Sequence, residues 1–361
     1  MKKKNIIKII LIALLDITLI ALLVLSSYYF VYLMPHKELS EAKAAFIEQP
    51  LSNEDHEGLD AGSNVKTDWQ YKFKDKFSDE IINTQNTYKS SNISITITKS
   101  NLNATKTIIE PKSNLPTINK DNSLSKKSTI SSSGSNLQNS ATYYIADIYL
   151  GNLNCFKTHF AEDAYGTGYS EKLIDISTRK NAILAINGDS YSNNKKKNFS
   201  GPLIRNGVVY RSEPTKSDIC VLFKDGSMKT YDGTEFDEAS LSEDDIYQTW
   251  VFGPSLLDEN GKAAKDFNTS AYIKQNHPRT SIGYYEPGHY CLIVVDGRNM
   301  DFSRGMYLEE LAKIFESLGC KAAYNLDGGH CSYMEYKNEY INTPVNPNNK
   351  ITDGIFIEEA N

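Results

Sequence analysis

Three short apolar runs in this chain stop abruptly at polar residues and glycine. Ala182-Ile183-Leu184-Ala185-Ile186 leads into Asn187-Gly188-Asp189, and Cys291-Leu292-Ile293-Val294-Val295 into Asp296-Gly297-Arg298. Near the end of the chain, Ala322-Ala323-Tyr324-Asn325-Leu326 leads into Asp327-Gly328-Gly329-His330. Each run reads as a buried strand that delivers a carboxylate into a glycine loop, which fixes charge on a rigid element and lets backbone come close to a ligand. One such ending is an ordinary turn. Three together predict an acidic cleft shared by several strand ends.

The first residues obey different rules. Lys2, Lys3, Lys4 and Lys8 precede an almost unbroken apolar stretch from Ile9 to Leu33, long enough to cross a bilayer as one helix. The lysines are expected to stay in the cytoplasm, so the remainder is exported and the chain is a single-pass protein of the cell membrane. The run exceeds a signal-peptide core, and no small-x-small step precedes Ser26 to Tyr32, so it reads as an uncleaved anchor. Five cysteines without C-x-x-C spacing indicate neither a disulfide framework nor a zinc knuckle. Cys331 beside His330 suggests a Cys-His nucleophile, but neighbours on an extended segment face opposite sides. A net charge of -6 with no basic stripe beyond the N-terminus argues against nucleic acid as a partner. Lys195, Lys196 and Lys197 read as a solvated loop.

Residues 35–90 are polar and charged and read as a stalk. Ile93, Ile95 and Ile97 alternate with Ser94, Thr96 and Thr98, a strand with one buried face. Residues 101–140 are Ser, Asn, Thr and Lys with almost no aromatics, too polar to bury a core, and read as an insertion or linker. The body starts at Ala141 with the strand pattern of Thr142 to Leu150. Asn206-Gly207 is a hairpin turn between two strands, and Arg205 beside it is either a surface arginine or an anion clamp. Thr280 to Tyr285 and Tyr290 to Val295 form a second hairpin around Glu286-Pro287-Gly288-His289. Pairing Tyr285 with Tyr290 would set Arg279 opposite Asp296. Leu308, Leu311, Ala312 and Phe315 recur at helical spacing, with Glu309 and Glu310 in the first turn and Gly319 as the stop. The resulting strand, helix, strand unit predicts parallel strands whose ends carry Asp296 and Asp327 to one sheet edge. The fold class is thus α+β, a mixed β-sheet domain with flanking helices, preceded by one transmembrane helix.

Six pieces in order resemble the phosphodiester glycosidase family: Ala185 to Tyr191, Phe252-Gly253-Pro254, His277-Pro278-Arg279-Thr280, Val295 to Arg298, Gly305-Met306 with Leu308 to Leu311, and Asn325 to Gly329. The resemblance covers nearly all of Ala141 to Asn361. It implies hydrolysis of a sugar joined through its anomeric carbon to a phosphodiester. Two stretches depart from the family pattern, Asp189-Ser190-Tyr191 and His330-Cys331-Ser332. On this reading residues 1–34 are the anchor, 35–90 the stalk, 91–100 the first strand of the catalytic domain, 101–140 the insertion and 141–361 the catalytic domain.

The residue chemistry agrees with that implication. A phosphodiester needs the planar fork of arginine, so Arg279 is the first expected phosphate ligand, with Arg205 or Arg298 the second. Carboxylates stabilise an oxocarbenium-like transition state, which assigns Asp327 and Asp296, with Asp189 third. His277 or His330 would supply a proton. Asn187 and Asn325 would hold sugar hydroxyls, and Gly188, Gly328 and Gly329 would admit the ligand to the backbone. The expected partners are a phosphodiester-linked surface glycan and, through the anchor, the lipid bilayer. No resident cofactor is called for. Calcium on Asp and Asn oxygens is the alternative, since the acids lack a recognised metal spacing. The competing functions are a divalent-metal-dependent phosphoesterase and a non-catalytic polymer-binding module.

Overall fold

The computed structural model describes residues 69–103, 140–189, 191, 201–236, 245–299 and 302–360. The expected anchor, most of the expected stalk and most of the low-complexity segment lie outside these residues. Among the described residues no helix is long and apolar enough to cross a membrane.

The domain is mostly β-sheet with few helices. A seven-stranded sheet has the order β1 (Ile82–Asn83), β2 (Thr87–Lys89), β3 (Ile93–Asn103), β4 (Ser140–Leu150), β13 (His289–Val295), β12 (Arg279–Glu286), β14 (Ala322–Asn325). A five-stranded sheet has the order β16 (Glu339–Tyr340), β15 (Met334–Tyr336), β6 (Leu184–Asn187), β17 (Asp353–Ile357), β5 (Phe156–Phe160). A three-stranded sheet, β10 (Met228–Tyr231), β9 (Ile219–Phe223) and β11 (Ile246–Trp250), and the hairpin of β7 (Leu203–Arg205) with β8 (Val208–Arg211) complete the β structure. The four α-helices among the described residues are α1 (Trp69–Lys72), α2 (Leu173–Lys180), α3 (Ala271–Lys274) and α4 (Leu308–Leu318).

Period-2 alternation builds the layers. Ile93, Ile95, Ile97, Tyr144, Ala146, Ile148, Leu292 and Val294 point from the large sheet into a core shared with Leu184, Ile186, Ile355 and Ile357 of the five-stranded sheet. The opposite face of the large sheet, with Cys291, Ile293, Val295 and Ala323, is covered by Leu308, Leu311, Ala312 and Phe315 of α4. The outer face of the five-stranded sheet, with Ala185 and Phe356, is covered by Leu173 and Ile176 of α2. Helix α4 fills its expected range and stops at Gly319, whose φ of 79° suits a residue without Cβ.

Several expectations need correction. Every ladder between the named strands is antiparallel, so the sheet is not mixed. Strands β13 and β14 do run in the same direction, because both pair antiparallel with β12, which lies between them. Asp296 and Asp327 therefore leave the same end of the sheet. The hairpin loop is the two residues Pro287-Gly288, and a bulge at Tyr285 shifts the register by one. Arg279 consequently pairs with Val295, not with Asp296. Finally, the end of the expected stalk is core: Trp69, Phe73 and Tyr88 are buried against the large sheet. Trp69 and Phe73 stand four apart, but the helix they share is a single turn, too short to signal itself in a polar segment, so the tertiary packing reveals them.

Candidate active site

The two sheets meet where β6 and β14 end. Asn187, buried at the end of β6, accepts from Thr280 Oγ1 at 2.7 Å and from the Tyr333 N–H at 3.1 Å. Its amide nitrogen donates to the Asp327 carbonyl at 2.7 Å, and the Asp327 N–H donates back to the Gly188 carbonyl at 3.2 Å. Both ends of this amide are thus used inside the protein. Asn187 ties the loop after β14 to the second sheet and is not placed to hold a sugar hydroxyl as expected. Asp327 itself is half-buried, with the Gly328 N–H donating to its Oδ1 at 2.9 Å. The two glycines that follow let the loop pass close to other chain: a Cβ on Gly328 would stand 2.7 Å from the Pro278 carbonyl oxygen. One on Gly329, at φ 76°, would stand 3.0 Å from Arg298 Nη2.

A cationic face adjoins this loop. Exposed Arg298 donates from Nη1 to His330 Nδ1 at 2.8 Å and from Nη2 to the Tyr272 hydroxyl at 3.4 Å. The same Nη1 also lies 3.3 Å from His330 Nε2, and since a guanidinium only donates, the ring is the acceptor in this contact. His277 Nε2 lies 2.8 Å from the Tyr272 carbonyl, which fixes a proton on that nitrogen. Burial, and then the charges of Arg279 and Arg298, push the His277 pKa down, keeping this ring neutral at pH 7. Arg279 lies behind, 3 % exposed. Its guanidinium donates to the carbonyls of Met306 at 3.0 Å, Ile273 at 2.7 Å and Gln275. Burial and the neighbouring Arg298 lower its pKa to about 10. Arg279 thus braces the segment carrying α3 and His277, and its charge reaches a phosphate only through space.

The remaining expected residues are structural. Arg205 is neither a surface arginine nor an anion clamp. It is fully buried, donates to Asp189 Oδ1 at 3.0 Å and to Asp353 Oδ2 at 2.7 and 3.1 Å, and caps the carbonyls of Ile204 and Thr249. Asp189 Oδ2 accepts from the Val251 N–H at 3.1 Å, so this acid is removed from the cleft. Gly188 is required because a Cβ there would collide with Asp353 Oδ1, not because a ligand approaches it. Asp353 escaped the sequence reading; its signal, an Asp-Gly opening the last apolar run, was the reverse of the pattern sought.

Asp296 is 2 % exposed. Its Oδ1 accepts from Asn342 Nδ2 at 3.0 Å and from the Thr343 N–H at 2.9 Å, and its Oδ2 is buried with no partner at hydrogen-bond distance. Burial raises its pKa to about 6, opposed by Asn342, Thr343, Lys99 and Tyr144. Asn342 also donates to the Ser332 carbonyl at 3.0 Å. Asp296 therefore acts on the Asp327 loop through Asn342. Asn325 is buried too, donating to the carbonyls of Gly253 at 2.9 Å and Leu326 at 3.0 Å. Of the three acids expected in one cleft, Asp327 alone reaches the surface. Burial pushes the Cys331 thiol to about 12, and Asp327 adds to the shift, so this cysteine is no thiolate nucleophile. Among the described residues no three His, Cys, Asp or Glu side chains gather to hold a metal ion.

Known proteins resemble this chain in sequence and in fold. A protein of Bacillus subtilis (strain 168), the SPbeta prophage-derived uncharacterized protein YomE, is 31% identical over 195 residues, 53% of this chain and 29% of that protein. The chain thus spans under a third of the length of this curated relative. The catalytic domain of zebrafish N-acetylglucosamine-1-phosphodiester alpha-N-acetylglucosaminidase, auto-inhibited by its pro-peptide, has a similar fold. The TM-score is 0.54 at 17% identity, over 74% of this chain and 84% of that one. Residues 180–358, which carry β6, β12 to β14 and the Asp327 loop, match the phosphodiester glycosidase family model, and this part of the chain belongs to that family.

Proposed function

We propose that the protein hydrolyses the bond between a sugar's anomeric carbon and a phosphodiester in a cell-surface glycan. One observation carries the reading. A half-buried carboxylate, Asp327, and the exposed cation Arg298 with His330 hydrogen-bonded to it are presented by adjoining loops, with the buried charge of Arg279 behind them. A glycosyl phosphodiester asks for both. The phosphate takes the remaining N–H donors of the exposed Arg298 guanidinium, while the carboxylate stabilises positive charge developing at the anomeric carbon. His330, exposed beside Arg298, would donate a ring N–H to the leaving phosphate. In the step itself the anomeric C–O bond breaks, water supplies the new hydroxyl, and a phosphomonoester leaves. The reading includes an N-terminal anchor, because the lysines and apolar stretch at residues 2–33 would hold the body on the outer side of a membrane.

The test is release of free sugar and phosphomonoester from a panel of synthetic glycosyl-1-phosphodiesters by the full chain in detergent. Turnover lost in Asp327→Asn and reduced at least tenfold in Arg298→Ala supports the reading. Tight binding without turnover by the wild type would leave a polymer-binding module instead.

A further inference from the structure

At the same end of the large sheet, but on its far side, the two sheets part to leave an open cleft of 770 Å³. Its walls are Lys99 and Tyr144 from β3 and β4, Tyr336 and Lys337 from the β15–β16 hairpin, and Gln85 and Asn86 from the β1–β2 turn. Lys99 occupies the next inward-facing position of the stripe Ile93, Ile95, Ile97, where a packed core would need an apolar residue. Its ammonium lies 5.4 Å from the ring centre of Tyr144 and 5.3 Å from that of Phe302, while the residue stays exposed. Lys337 sits in the tight turn of the facing hairpin, at φ 55°, and lies 4.4 Å over the Tyr336 ring. Glu339 is the cleft's one acid among the described lining residues, so the lysines leave it net cationic. Aromatic rings, amides and lysines together suit sugar faces, hydroxyls and phosphates.

The position of this cleft is set by register. Lys99 pairs with Tyr144, Tyr144 with Val294, and Val294 with Thr280, and the Leu326 N–H bonds the Thr280 carbonyl. Four strand spacings therefore separate Lys99 from the residue before Asp327, roughly 19 Å at the usual inter-strand distance. That exceeds one sugar phosphate and is spanned by a short run of them.

We infer that this cleft is a second binding site for an anionic, phosphodiester-linked glycan chain, gripping repeats distant from the bond cleaved at Asp327. The inference rests on the hydrolase reading for the substrate class, and it makes the preferred substrate a polymer. Two probes test it: a polymer of N-acetylhexosamine-1-phosphate repeats and its single-repeat methyl phosphodiester. Lys337→Glu and Lys99→Glu, made in the full chain, should each weaken polymer binding at least tenfold by calorimetry and flatten its salt dependence. Lys337→Glu should leave single-repeat turnover within twofold of wild type. Polymer affinity unchanged in both variants overturns the inference, as does an equal loss on polymer and single repeat. A wild type that binds polymer through these lysines but cleaves neither probe would sink the hydrolase reading and leave the cleft standing.

Discussion

Replacing Arg205 separates a structural from a substrate-binding arginine. The side chain is 1 % exposed, its partners Asp189 and Asp353 are 3 % and 0 % exposed, and no solvent reaches the group. Arg205→Met keeps much of the volume but strands two buried carboxylates, and breaking a buried ion pair on one side costs about 3–5 kcal/mol. It also frees the carbonyls of Ile204 and Thr249, each unmade buried hydrogen bond adding about 1 kcal/mol. Arg205→Lys keeps the charge but has three donors for a fork that makes five bonds, and is expected to lose about 2–3 kcal/mol. The guanidinium lies 5.9 Å from the centre of the Trp250 ring, so urea unfolding followed by tryptophan fluorescence reads the change directly. The chain has only two tryptophans, both buried. The expected order of stability is wild type, then Lys, then Met. An Arg205→Met protein as stable as wild type but unable to bind a glycosyl phosphodiester would refute the argument and restore the anion clamp.

Three further outcomes follow from the same contacts. Burial lifts the Asp296 carboxyl from 3.8 to about 6 in the folded state, so the native protein holds this proton more tightly than the unfolded chain. Stability from this group is full below about pH 4 and falls as pH rises to about 6, by up to about 3 kcal/mol; Asp296→Asn should remove that slope in urea titrations between pH 4 and 7. Gly188→Ala drives a methyl into the Asp353 carboxylate and should lower the urea midpoint by the equivalent of about 1–3 kcal/mol. Cys331→Ala should retain turnover of the glycosyl phosphodiester, whereas loss of a hundredfold or more would return this thiol to the chemistry.

Local signals were legible wherever one element decides its own geometry. Asn206 and Gly207 adopt φ of 54° and 81° in the predicted hairpin turn, and the apolar spacing from Leu308 to Phe315 forms the helix it describes. The hairpin around Pro287-Gly288 was found, but its register was not, because a single bulged residue at Tyr285 carries no signal in composition. That one step moved Arg279 away from Asp296. The three endings do lie in loops at the ends of β6, β13 and β14, yet their pattern did not say which acid would be buried.

The sequence by itself determined the strands, the α4 helix, the glycine loops and the resemblance to a family, since these depend on near neighbours and on side-chain periodicity. Only the tertiary structure decided which charges face water. Asp189 is consumed by Arg205, Arg279 by three carbonyls and Asp296 by Asn342 and Thr343, while Asp327, Arg298 and His330 are left at the surface. The reason is that a buried charge must find its partner wherever the fold brings one, and for Arg205 that partner lies 148 residues away along the chain.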